Sequence, residues 1–146
     1  MTDTTTPERR SSNMARIRAK DTAPEIIVRR LVHQMGYRYR LHPATLPGKP
    51  DLVFSRLKKL IEVRGCFWHQ HQGCIDSHIP RSRTEYWLLK LRGNVRRDKK
   101  NEKKLRALGW EVLVVWACEA EGDDTRALAG RLRRFLSARP NQTKYS

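Results

Sequence analysis

The sequence predicts an α/β protein in which a mixed sheet is flanked by helices, and three observations carry that prediction. Residues 22–36 and 123–137 place apolar side chains at helical spacing. Residues 37–41, 51–55 and 57–65 read as short strands, the last two as a hairpin. Residues 110–118, WEVLVVWAC, are almost continuously apolar, the pattern of a strand covered on both faces. The order helix, three strands, helix, strand, helix suits one sheet with helices against it. A length of 146 residues fits one domain with a single core.

Taken in order, residues 1–13 are polar and expected to be disordered alone, followed by an arm rich in Arg16, Arg18 and Lys20 suited to a phosphate backbone. The single folded domain is expected over residues 14–137, with 138–146 a polar tail. In TAPEIIVRRLVHQMG, Thr22 is placed to cap a helix, Pro24 sits in its first turn, Ile27, Leu31 and Met35 recur on one face, and Gly36 stops it. YRYRL alternates like a strand, PATLPGKP is a turn-rich link, and DLVFS and LKKLIEVRG form the hairpin. From Thr84 runs a long basic helix that offers Leu88, Leu91, Val95, Leu105 and Leu108 to a core, with Gly93 as an interruption. Trp110 and Trp116 read as core anchors of the last strand, and no internal repeat is present.

Thirty-one Lys and Arg against fifteen Asp and Glu give a net charge of +16 and a pI near 10.6, which points to a polyanionic partner, above all nucleic acid. No apolar run approaches the ~18 residues of a spanning helix. The N-terminus carries no apolar leader, so a reducing, cytoplasmic, nucleoid-associated location is expected. Three cysteines cannot all pair with one another, and near histidines in a reducing compartment they suggest a metal.

Asp51 opens one strand of the hairpin and Glu62 lies near the end of the other, with Arg64 on the same face as Glu62. Two adjacent strands can aim both carboxylates at one point, where hard oxygen ligands suit Mg²⁺ and a neighbouring cation steadies charge on a phosphodiester. The arrangement resembles the PD-(D/E)xK nuclease pattern, with Arg64 in place of Lys. An exposed hairpin with solvated charges fits the same residues. Glu25 adds a third carboxylate, and Thr22-Ala-Pro-Glu25 also reads as a capping box.

In RGCFWHQHQGC, Cys66, His71 and Cys74 offer three ligands, and Cys118 can complete a Cys₃His set of the kind that holds structural Zn²⁺. With His71 given to zinc, His69 is free for acid–base work on a water or phosphate. His33, His42 and His78 show no partner in the sequence. Phe67 and Trp68, with Trp87 on the basic helix, are large apolar groups on a cationic surface and suit insertion into a duplex as wedges. Asn94 and Arg97 of that helix are further expected DNA contacts.

NMARIRAKDTAPE, LPGKPDLVF, GCFWHQHQGC, RTEYWLLKLRGNVRRD and LGWEVLVVWAC, in this order over roughly residues 12–136, resemble the very-short-patch repair (Vsr) mismatch endonuclease family. The resemblance implies a restriction-endonuclease-like fold with a structural zinc site. It further implies an enzyme that nicks duplex DNA 5′ of the T in a T:G mispair left by deamination of 5-methylcytosine. Asp51 then resembles the Mg²⁺-binding carboxylate, helped by the main-chain carbonyl of Val63. Glu25 and His69 resemble supporting catalytic groups, and Cys66, His71, Cys74 and Cys118 the zinc ligands. Phe67, Trp68 and Trp87 resemble the intercalating wedge, and the arm around Met14 the segment that clamps DNA from the other groove. Two departures stand out. Family members usually carry an apolar residue where this chain has Glu62, and often His where it has Arg64; and Gly73 is an apparent insertion in the zinc loop, at the residue type best able to bulge. The expected partners are T:G-containing double-stranded DNA and a MutL-type repair factor, with the protein a monomer. The alternatives are a relative acting on another mismatch, a junction or a restriction-type site, and a zinc-containing module that binds DNA without cutting it.

Overall fold

The computed structural model describes residues 22–139. Met14, Arg16, the expected disordered segment and residues 140–146 of the tail lie outside the described residues. Helix α1 spans Ala23–Gln34, strand β1 Arg40–Leu41, β2 Leu52–Phe54 and β3 Lys59–Arg64. A 3₁₀ turn at Ile75–Ser77 precedes the long helix α2, Thr84–Ala107, then β4, Glu111–Trp116, a short helix α3, Ala117–Ala120, and α4, Arg126–Ser137. The four strands lie in sequence order, β1, β2 and β3 antiparallel and β4 parallel to β3, with α2 in the connection that makes the parallel pairing possible.

Alternation along the strands decides which helix each face receives. Leu52 and Phe54 of β2, Ile61 of β3 and Val115 of β4 join Val28 and Val32 of α1 and Leu128, Leu132 and Leu136 of α4 in one core. The intervening Val53, Leu60 and Val112 join Leu105 of α2 and Trp110 in the other. The near-continuous apolar sequence of β4 is thereby explained, since both of its faces are covered. Lys59, fully buried at the start of β3, donates from Nζ to the carbonyls of Phe135 and Ala138 and so satisfies acceptors at the C-terminal end of α4.

Several expectations are corrected. Of residues 37–41 only Arg40–Leu41 pair as strand, because Tyr37 and Tyr39 instead set their rings edge-on against Phe54 at 6.3 and 6.1 Å. Thr22 caps α1 by position but makes no side-chain cap bond, and Glu25 turns inward, only 2% exposed. Gly93 does not interrupt α2, and Leu108, expected in the core, is 56% exposed beyond that helix. The last strand stops at Trp116, which puts Cys118 on the short helix α3. Trp110 anchors a core as expected, whereas Trp116 stacks on His71 with ring centroids 4.2 Å apart and planes 8° from parallel.

Candidate functional site

The C-terminal ends of the parallel pair β3 and β4 lie side by side, Arg64 in register with Trp116. Cys66 follows the first and Cys118 the second, so two residues distant in sequence leave the sheet at one edge. Between Gly65 and Cys74 the chain winds tightly, His69 N–H donating to Gly65 C=O, His71 N–H to Cys66 C=O and Cys74 N–H to His71 C=O. Gly73 adopts φ 78, a left-handed conformation that favours glycine. The ligand atoms of Cys66, His71, Cys74 and Cys118 all lie within 4.8 Å of one another. His71 Nδ1 is 3.6 Å from Cys66 Sγ and 3.4 Å from Cys118 Sγ. Without a cation, burial pushes the Cys66 thiol up to about 12 and the Cys118 thiol also upward. Cys66 and Cys118 would therefore stay protonated until a positive ion compensates them, and a thiolate and imidazole donor set fits a soft or borderline metal ion. All four expected members are brought together.

Beside this cluster is an open cleft of about 430 Å³ whose lining includes Glu25, His42, Asp51, Glu62, Arg64 and His69. Alternation puts Glu62 and Arg64 on the α2 face of β3. Asp51, just ahead of β2, accepts a 2.6 Å hydrogen bond from Val63 N–H at Oδ2. Burial raises the Asp51 carboxyl to about 8; the Val63 N–H pulls it down, and Glu25 and Glu62 push it up. Glu25 accepts from Arg29 and lies 2.9 Å from His42 Nε2, which is 3.7 Å from Asp51 Oδ1. Glu62 accepts from Arg64 Nη2 at 2.6 Å. Burial raises the Glu62 carboxyl, against the lowering effect of Arg64. Glu62 is therefore paired with Arg64 rather than grouped with Asp51, and the set able to share an ion is Glu25, His42 and Asp51.

His69 reaches into the same cleft, its Nδ1 2.6 Å from Asp98 Oδ2 of α2. With Nδ1–H given to that carboxylate, Nε2 is left as an acceptor. Phe67, Trp68 and Trp87 meet edge-on with centroids 5.2 to 6.0 Å apart, and Leu91, Ile79 and Tyr86 complete the group. Trp68 and Trp87 are buried, Phe67 half-buried, and Lys90 lies 5.9 Å from the Trp68 ring. Adjacent aromatics can share one cluster because the chain here turns rather than extends. Arg97 is exposed, and Asn94 lines the cleft from a largely buried position. It is 4% exposed, donates to Trp68 C=O at 3.1 Å and accepts from Arg97.

Sequence reasoning missed His42 and Asp98. Nothing in periodicity marks a histidine before a proline in a turn-rich link. Asp98 did carry a signal, as an acidic residue inside the basic run NVRRDKKNEKK.

The family model described as DNA mismatch endonuclease Vsr matches residues 2–75. The chain is 48% identical over 136 residues to the Type II nicking enzyme V.XorIIP of Xanthomonas oryzae pv. oryzae, covering 93% of this chain and 98% of that protein. To the Type II nicking enzyme V.NmeAIP of Neisseria meningitidis it is 44% identical, covering 82% and 84%. To the DNA mismatch endonuclease Vsr of Escherichia coli K12 it is 40% identical over 130 residues, covering 87% and 83%.

Proposed function

This chain belongs to the Vsr DNA mismatch endonuclease family and is a DNA endonuclease, and from that premise we propose that it nicks duplex DNA 5′ of the T in a T:G mispair arising from 5-methylcytosine deamination, initiating very-short-patch repair. The observation that carries the reading is the convergence on one cleft of the buried Glu25 and half-buried Asp51, a carboxylate-oriented histidine and an arginine, beside an aromatic cluster with cationic side chains near its rings. The antiparallel hairpin bearing Asp51 and Glu62, continued by a parallel strand across α2, supports a restriction-endonuclease-like fold.

Asp51 and the Val63 carbonyl, with Glu25 beside them, would hold Mg²⁺, while Cys66, His71, Cys74 and Cys118 would hold Zn²⁺. When bound, Mg²⁺ supplies charge stabilisation at the scissile phosphate and makes water a better nucleophile at neutral pH. His69, fixed by Asp98, accepts the proton of the attacking water at Nε2. Arg64 exchanges part of its bond to Glu62 for a phosphate oxygen as negative charge develops there. The sulfur cluster fixes both ends of the loop that carries Phe67, Trp68 and His69, so the wedge and the base keep a set distance. Phe67, the more accessible ring, leads insertion beside the mispair, with Trp68 and Trp87 behind it. The cost of unstacking is lowest where pairing is already faulty. Asn94 acts by holding Trp68 rather than by touching bases, and Arg97 with Arg16 and the arm around Met14 contacts the duplex. The working unit is a monomer with its folded domain over residues 14–137, and a MutL-type factor is its partner in repair.

The test is gel analysis of end-labelled duplexes containing T:G, other mispairs or full pairing, with Mg²⁺ or with EDTA. Nicking confined to T:G in Mg²⁺ is expected. Equal cutting of paired DNA would replace the mismatch reading with a restriction-type one.

A further inference from the structure

Within the cleft, His42 has no role in the mechanism above, yet both its backbone and its ring are bonded there. Its backbone takes φ 46, which side-chain-bearing residues seldom adopt, and its N–H donates to the Asp51 carbonyl at 3.2 Å. Its Nε2 is thereby directed between the two carboxylates, 2.9 Å from Glu25 and 3.7 Å from Asp51 Oδ1. Ligands at right angles on an ion with bonds of about 2.1 Å are about 3 Å apart and spread further at wider angles, so the separations that give the cation-free His42–Glu25 hydrogen bond also allow the three groups to share an ion. A merely neutralising histidine is not required, because Arg29 already donates to the Glu25 carboxylate. Oxygen donors alone suit Mg²⁺, whereas an imidazole nitrogen strengthens binding of first-row transition ions and adds little for Mg²⁺.

We propose that His42 ligates the cation held by Asp51 and Glu25 through Nε2, making the cutting site a mixed nitrogen and oxygen site that binds Mn²⁺ or Co²⁺ ahead of Mg²⁺. This rests on the reading of Asp51 as a cation ligand. The consequence is that the ion occupying the site depends on transition-metal supply as well as on Mg²⁺, and that His42→Gln converts it to an oxygen site.

The test is three-pulse electron spin echo spectroscopy of Mn²⁺ added to the full-length protein, with and without ¹⁵N-labelled histidine, alongside Mn²⁺ and Mg²⁺ titrations. The wild type should show nitrogen modulation that the label shifts, and His69→Gln should retain it. His42→Gln should lose it while binding Mn²⁺ at least about tenfold more weakly, with Mg²⁺ binding changed by less than about threefold. Mn²⁺ bound in an Asp51-dependent way without histidine nitrogen coupling would overturn the role of His42 and leave Asp51 as ligand intact. Coupling that persists in His42→Gln does the same. Mn²⁺ binding indifferent to Asp51→Asn would remove both. The label shows in the wild type, without any substitution, whether a histidine nitrogen binds the ion, and the two Gln variants, checked for a native melting transition, then show which histidine it is.

Discussion

The sulfur cluster takes its four members from one loop and from the short helix α3 that follows a neighbouring parallel strand, whereas the cleft beside it is gathered from α1, the turn before β2, the end of β3, the loop and the middle of α2. The first is a local knot closed by one long-range contact. The second exists only when every layer of the fold is in place. In the function proposed above, rigidity and chemistry would thus fall to different donors: sulfur and nitrogen at the ends of the parallel strands, oxygen and nitrogen in the open cleft.

The largest expected effect separates the two regions outright. Asp51→Asn keeps the size of the side chain and an oxygen for the Val63 N–H, so folding and DNA binding should persist while single-turnover nicking falls by at least about a thousandfold. Normal cutting by this variant would remove Asp51 from the chemistry. Cys118→Ser attacks the other side. It should strip the cluster of its metal and lower the melting temperature by more than about 10 °C, since binding of a structural ion is folding free energy. An unchanged melting curve together with metal-free wild-type protein would eliminate the knot.

Asp98→Asn probes the join between the regions, because His69 is carried by the loop and oriented from α2. The amide can present its oxygen or its NH₂ to Nδ1, so the fixed tautomer is lost, and nicking should drop about a hundredfold with mismatch affinity unchanged. Combined with His69→Ala it should cost nothing further, and an additive loss would mean that Asp98 acts elsewhere. The smallest effect concerns protons. Asp51, raised to about 8 by burial, must lose its proton to accept a cation, so affinity should fall about tenfold per pH unit below that value. The sign for stability follows: the cation-free protein gains from protonated Asp51 below the ordinary carboxylate value and loses that contribution as pH rises through about 8. Cation titrations at pH 6, 7 and 8 that superimpose would show that Asp51 is not a ligand.

Much of the fold was legible because periodicity reports burial directly. The two-faced strand β4, the hairpin and the long basic helix all declare themselves by which positions are apolar. The four members of the cysteine and histidine cluster were legible for a different reason, scarcity, since every cysteine in the chain belongs to that cluster. Partnership was not legible. Glu25 reads as a cap from its spacing to Thr22, yet it turns inward to Arg29 and His42, because a helix start leaves its orientation to whatever packs against it. Trp116 reads as core from its strand, yet it lies over His71, a contact set by the loop from β3.

The parallel register of β3 and β4 also orders events in time. During synthesis the side chains of the Glu25, His42 and Asp51 set are complete by position 51, but the sulfur cluster must wait for position 118. A nascent or truncated copy that ends before position 118 therefore has the acidic set without a closed sulfur cluster.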